Sequence, residues 1–166
     1  MEAFNNLDKI ELEKALNTCC GSTRWAAQMA EFHPFENEAH LFSAATKIWF
    51  EQCNMEDWLE AFSCHPKIGD VANLAKKFAA TKDWSSSEQA GVQVASLETL
   101  QALAEGNQAY EEKFGYIFIV CATEKSAEEM LSLLSQRLEN EPENEIHIAM
   151  QEQAKITEIR LKKLLA

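Results

Sequence analysis

The chain has 166 residues, 46% of them hydrophobic, enough to bury a core as one domain spanning 1–166 and too much for a short disulfide module. Five Gly and three Pro are too few for a sandwich or barrel of many short strands, which needs a turn signal roughly every ten residues, so the expected fold class is helical. Against 15 Lys plus Arg stand 27 Asp plus Glu, and the net charge of -12 repels phosphate backbones and anionic lipid, so neither nucleic acid nor a membrane is expected as a partner.

In chain order, a first helix is predicted from about Asp8 to Cys20, with Leu7, Ile10, Leu16 and Cys19 in loosely helical spacing and a stop at Gly21. A second begins at a Ser22 or Thr23 cap and carries Trp25, Met29 and Phe32 before Pro34. From Glu36 to Cys53 the set Leu41, Ala45, Ile48, Trp49 follows i, i+4, i+7, i+8, an amphipathic helix. Asn54 caps a short helix with Trp58, Leu59 and Phe62 inward. It must end before Pro66, because the residue preceding proline is pushed out of the helical region, and this leaves Ser63 to Asp70 as a loop.

Val71 to Ala80 reads as a further short helix, followed by a polar turn, Thr81 to Ser87. A long helix is expected to start within Ser85-Ser86-Ser87-Glu88 and to run toward Phe114, with weak points at Gly91 and Gly106. Tyr116 to Ala122 has the composition of a buried strand yet no partner strand. It is either irregular buried backbone or a pocket wall that a ligand completes. Ser126-Ala127-Glu128-Glu129 is a capping box opening a helix with Met130, Leu133, Leu134 and Leu138 inside, and Pro142 starts the last helix. The whole is an all-α, single-domain bundle of about seven to nine helices.

The five Cys are odd in number and form no CxxC pair, which suits free thiols in a reducing compartment. The N-terminus lacks a basic and an apolar region, and the longest apolar run is too short to span a bilayer, so a cytoplasmic location is expected. No HxxxH or HExxH pair occurs, and His33 and His40 are separated by Pro34, so no metal site is expected. There is no glycine-rich phosphate cradle, Rossmann fingerprint or GxSxG elbow.

The inward arc of the last helix holds Ile146, Met150, Gln153, Ile156, Thr157 and Leu164, and Arg160 falls within it. Arg160 is either a packed stem with a solvated or paired head, or an anion clamp. His65, before Pro66 in a glycine-containing loop, is either a surface residue or an acid/base poised over a cavity. Glu88 is an ordinary first-turn acid or a catalytic carboxylate, and Ser85, Ser86, Ser87 and Gln89 are caps or ligands for an oxygen-rich molecule. Cys64 beside His65 suggests a thiolate, but neighbouring side chains in an extended segment diverge and no third group orients the base.

His65-Pro66-Lys67-Ile68-Gly69-Asp70, Ser85 to Gly91, Asn107 to Tyr116 and Ile156 to Leu161, in that order and spacing, resemble the 2-oxo-4-hydroxy-4-carboxy-5-ureidoimidazoline (OHCU) decarboxylase family of urate catabolism, and the resemblance covers essentially the whole chain. It implies an all-helical homodimer that converts OHCU to (S)-allantoin and CO2 with no metal or organic cofactor. The enzyme would work downstream of urate-oxidising and 5-hydroxyisourate-hydrolysing enzymes. By the resemblance the catalytic residues are His65, Glu88 and Arg160. The substrate pocket adds Pro66, Ser85, Ser86, Ser87 and Gln89 and the backbone of Phe118, Ile119, Val120, Cys121 and Ala122. Some relatives carry a fused transthyretin-like hydrolase domain, an activity expected here from another protein. Two readings of other classes stand beside this one: an acidic helical adaptor with apolar grooves, and a Cys64-dependent amidohydrolase acting on a ureido compound.

Overall fold

A computed structural model describes residues 2–67, 71–72, 74–76, 96–123 and 125–166. Among these residues the fold is all-α, with eight helices and no strand: α1 (Glu2–Asn5), α2 (Lys9–Cys20), α3 (Thr23–Glu31), α4 (Glu38–Lys47), α5 (Met55–Ser63), α6 (Leu97–Phe114), α7 (Ala127–Leu138) and α8 (Pro142–Leu165). A π turn, Ile48–Gln52, follows α4 directly, and residues 71–72 and 74–76 are also helical. The starts are set by side chains. Asp8, Asn54 and Ser126 each close a reciprocal capping box, and Ser22, Asn37 and Ser96 each accept a backbone N–H of the first turn. The long helix is thus described from Leu97. Its expected beginning at Ser85 to Glu88, together with Gly91, lies outside the described residues.

The chain divides into two compact units, the first comprising Met1–His65, Ile119–Cys121 and Ile148–Ala166, the second Pro66–Phe118 and Ala122–His147. In the first, α2 packs against α3, and α3 also meets α4, the π turn and α5. The inward face of α2 is Leu12, Leu16, Cys19 and Cys20 rather than the face expected from Leu7 and Ile10. Ile10 lies about 200° round the helix from Leu12 and is 79% exposed. Phe32, at the end of α3, stays partly exposed edge-on to His40, and Leu59 sits at the margin of a face whose centre is Trp58, Ala61 and Phe62. Three buried indoles tie this core to its backbone: Trp25 donates to Ala45 O (3.0 Å), Trp49 to Met150 O (2.8 Å) and Trp58 to Trp49 O (3.4 Å).

Cys19, Cys20 and Cys53 are buried in this unit as free thiols. Burial pushes Cys20 and Cys53 up to about 12 and raises Cys19 as well.

In the second unit α6 packs against α7. The backbone at Gly106 comes so close to α7 that a Cβ there would lie 2.7 Å from Leu134 Cδ2, so what reads as a weak point in the helix is a point of close packing. One turn further on, Tyr110 donates to Glu145 Oε1, and Arg137 reaches the same oxygen through Nε (2.6 Å) and Nη2 (2.5 Å). Asn140 donates to Oε2 (2.7 Å). Glu145 is fully buried, so this fan of donors is what permits its charge. The Arg137 guanidinium also lies 4.7 Å from the Phe118 ring centroid, and Tyr110 is edge-on to Phe118 at 5.1 Å. Burial, reinforced by its hydrogen bond to Glu145, raises the Tyr110 phenol far above its ordinary range. In the same Asn107 to Tyr116 stretch, Lys113 donates to Leu138 O (2.6 Å) at the end of α7, and Gly115 (φ 79°) caps α6.

The segment 116–122 is irregular backbone, with Phe118 and Ile119 buried, and is assigned to neither regular element type. On α8, burial ends at Leu161, and Leu164, though on the predicted inward arc, is 38% exposed.

Two stability outcomes are expected. Arg137→Leu, which strands a buried carboxylate, should cost about 3–5 kcal/mol, and Tyr110→Phe, which removes one donor of several, about 1–3 kcal/mol. Urea unfolding checks the order, and equal losses would refute a charged Glu145. The three buried thiols are held protonated in the folded state. The stability that Cys20 and Cys53 lend is therefore complete below the unfolded thiol value of about 8.5 and is lost as pH rises from there toward 12, and Cys19 acts in the same direction. Urea midpoints measured across that range should fall, and less steeply in Cys20→Ala.

Candidate active site

Within the first unit two of the expected site residues, His65 and Arg160, are connected to the end of α2. That helix closes with Gly21 in the left-handed region (φ 88°), its N–H donating to Asn17 O at 2.8 Å. An α-helix leaves its last carbonyls without internal partners, and here those of Cys19 and Cys20 are met by side chains of α8. Arg160 Nη1 donates to Cys19 O (3.2 Å), and Gln153 Nε2 donates to Cys20 O (3.2 Å) and to Thr157 Oγ1 (3.2 Å). Gln153, Thr157 and Arg160 stand at i, i+4 and i+7, one stripe of one helix face. A guanidinium at the negative end of α2 is favourable by about 0.3–1 kcal/mol.

Gly21 has a second task. A Cβ at that position would lie 2.8 Å from Cys64 Cβ, so only glycine lets the end of α5 approach this closely. Cys64 Sγ donates to Gly21 O at 3.5 Å, and the backbone N–H groups of Cys64 and His65 complete the last turn of α5 on Ala61 O and Phe62 O (both 3.2 Å). His65 is thereby delivered, half-buried, to α8, where its Nε2 meets Gln153 Oε1 at 2.6 Å.

His65 and Arg160 therefore share one polar assembly, joined through Gln153 and two adjacent carbonyls. Arg160 is half-buried, and beyond its bond to Cys19 O the planar fork has N–H groups suited to a carboxylate or carbonyl oxygen. Ile119, Val120 and Cys121 belong to the same unit, where the Cys121 N–H is engaged by Glu152 Oε2 at 2.7 Å and Glu152 is paired in turn with Lys155. Pro66, Phe118 and Ala122 belong to the second unit, Phe118 within the Tyr110–Arg137 cluster. Ser85, Ser86, Ser87, Glu88 and Gln89 lie outside the described residues.

Gln153 and Thr157 are the residues to which sequence reasoning gave no role. Their signal was visible as polar side chains on the apolar arc of α8 at the spacing of Arg160, a stripe that has to find hydrogen-bond partners once buried. A separate cleft of about 360 Å³ in the same unit, between Trp25, Phe42 and Trp49 and the Ala154–Leu161 side of α8, shares Thr157 but is lined by neither His65 nor Arg160.

The OHCU decarboxylase family profile matches residues 5–162. The chain is 41% identical over 154 residues to a uric acid degradation bifunctional protein of Arabidopsis thaliana, covering 93% of this chain and 47% of that protein. It thus spans about half the length of that plant relative. It is 30% identical over 142 residues to the 2-oxo-4-hydroxy-4-carboxy-5-ureidoimidazoline decarboxylase of Amia calva, covering 84% of this chain and 79% of that one. A crystal structure of OHCU decarboxylase in the presence of (S)-allantoin superposes with a TM-score of 0.73 at 41% identity, over 92% of this chain and 96% of the other. The chain, matched along nearly all its length, belongs to the OHCU decarboxylase family.

Proposed function

We propose that residues 1–166 act as one OHCU decarboxylase domain, a carboxy-lyase that converts OHCU to (S)-allantoin in urate catabolism. The observation that carries this is the 41% identity, over almost the whole chain, to a decarboxylase solved in the presence of (S)-allantoin. In the reaction the bond from the ring to the carboxylate breaks and CO2 departs. The electron pair passes into the adjacent imine of the ring, which is why no cofactor sink is called for; loss of the hydroxyl proton turns the hydroxyl-bearing carbon into the ring carbonyl, and a proton added to the carbon bearing the ureido group completes allantoin. Arg160 holds the anionic oxygens and sets the carboxylate so that the breaking bond overlaps the π system. His65 exchanges a proton with the substrate hydroxyl as CO2 leaves, Glu88 supports its charge, and delivery from one face makes the product a single enantiomer.

The remaining contacts are carried from the resemblance: Pro66, Ser85, Ser86, Ser87 and Gln89 on the substrate, with the backbone of Phe118 to Ala122 reading its ureido and ring amides. We place the enzyme in the cytoplasm as a homodimer, taking its substrate from the urate-oxidising and 5-hydroxyisourate-hydrolysing steps. Among the described residues no helix is long and apolar enough to cross a membrane. Cys64 donates to the backbone carbonyl of Gly21, which favours a structural role over that of an amidohydrolase nucleophile.

The test is to generate OHCU from urate with the two preceding enzymes and follow the circular dichroism of the allantoin formed. Rapid appearance of an (S)-allantoin signal is expected, against slow racemic decay without the protein. His65→Ala and Arg160→Ala should each lose most turnover. His65→Ala should leave the unfolding temperature near that of the parent, whereas Arg160→Ala also uncaps α2 and should cost up to about 1 kcal/mol. Glu88→Gln should keep the fold and lower the rate. Wild-type kcat/KM in any of the three would overturn that residue's role.

A further inference from the structure

His65 has one polar partner whose direction is set independently of it. Gln153 is fully buried on α8, so water cannot replace any bond its amide fails to make. Both amide hydrogens are committed: Nε2 donates to Cys20 O and to Thr157 Oγ1, each at 3.2 Å. Cys20 O is a backbone carbonyl at a helix end and can only accept. Turning the amide over would set Oε1 against that carbonyl with no proton between them, and would leave a buried helix-end carbonyl without a donor. The amide nitrogen is therefore fixed toward α2, and Oε1 is fixed toward His65 Nε2 at 2.6 Å. A carbonyl oxygen carries no hydrogen, so the proton in that bond belongs to the imidazole.

We infer that Gln153 is the positioning residue for His65. It holds Nε2 as a permanent donor, so that the ring gains and loses its working proton at Nδ1. This rests on the reading of His65 as the acid/base group, and it assigns the reacting atom within that reading. The chain of constraint runs from backbone to chemistry: the end of α2 orients an amide, the amide orients an imidazole, and the imidazole presents one defined nitrogen. An orienting partner of this kind excludes ring flips and the wrong tautomer without touching the substrate.

The test is nitrogen-15 NMR of histidine-labelled protein, with His65 assigned by the signal lost in His65→Gln, together with kinetics on freshly made OHCU. In the parent protein the neutral His65 ring should show a protonated Nε2 and an unprotonated Nδ1, with a slowly exchanging Nε2 proton visible in the proton spectrum. In Gln153→Met that slow proton should vanish and a fraction with the proton on Nδ1 should appear. Over the same change kcat should fall roughly 10²-fold while KM stays close to the parent value, since Gln153 does not touch substrate. Gln153→Glu, which keeps an acceptor facing His65, should keep the Nε2 proton in place. The parent spectrum and Gln153→Glu decide the matter should Gln153→Met fail to fold. A neutral ring protonated on Nδ1 in the parent, or a ring and kcat unmoved in a folded Gln153→Met, would overturn the assignment. The stated ring signature in a protein that leaves OHCU decay unchanged would instead uphold the positioning role and refute the decarboxylase reading.

Discussion

The end of α2 is the constraint on which the rest of the site depends. A helix finishing inside a core presents carbonyls that water does not reach, and something must donate to them. Here α8 donates, with an amide to Cys20 and a guanidinium to Cys19. Two side chains of α8, Gln153 and Arg160, are thus anchored to main chain, whose position the fold determines, and not to each other. Gly21 makes this possible twice over, by turning the chain out of α2 in the left-handed region and by leaving room for Cys64 and hence for His65. A glycine, two carbonyls and one face of a helix so account for the placement of a histidine more than forty residues away in sequence.

The second unit answers a different demand with a denser network. Glu145 is buried outright, and its carboxylate is tolerable only because Tyr110, Arg137 and Asn140 surround it. The stretch Asn107 to Tyr116, among the most recognisable in the chain, is occupied with this network, with closing α7 and with ending α6. The tyrosine, the lysine and the glycine are each required by a specific buried carboxylate, an exposed helix end and a positive φ.

What was legible in the sequence follows from the same physics. Helix starts were plain, because Asp8, Ser22, Asn54 and Ser126 act locally on the next turn. The faces of α4 and α8 were plain, because long regular spacing averages out single exceptions. The face of α2 was misjudged at Ile10, since an isolated apolar residue on a short helix carries no information about which side meets the core. Leu164 was misjudged because an arc says which way a residue points and not how far the core extends along the helix. His65 and Arg160 could be named as candidates, yet their connection through Gln153 could not. It depends on the carbonyls of residues 19 and 20, and backbone groups have no letter in a sequence.

The choice of an amide between α2 and His65 has a chemical logic that a carboxylate would lack. An aspartate or glutamate would also accept from Nε2, but it could not donate to Cys20 O, and it would bring a second negative charge's worth of attraction to the imidazolium form. It would also repel the substrate carboxylate that Arg160 is proposed to hold, in a protein whose net charge is already -12. Glutamine supplies direction without charge. Under the proposed function the Arg160 guanidinium is then the positive group offered to an anionic substrate against an unfavourable background. In a protein this acidic, a neutral amide beside the histidine would serve both the substrate binding and the proton transfer proposed above.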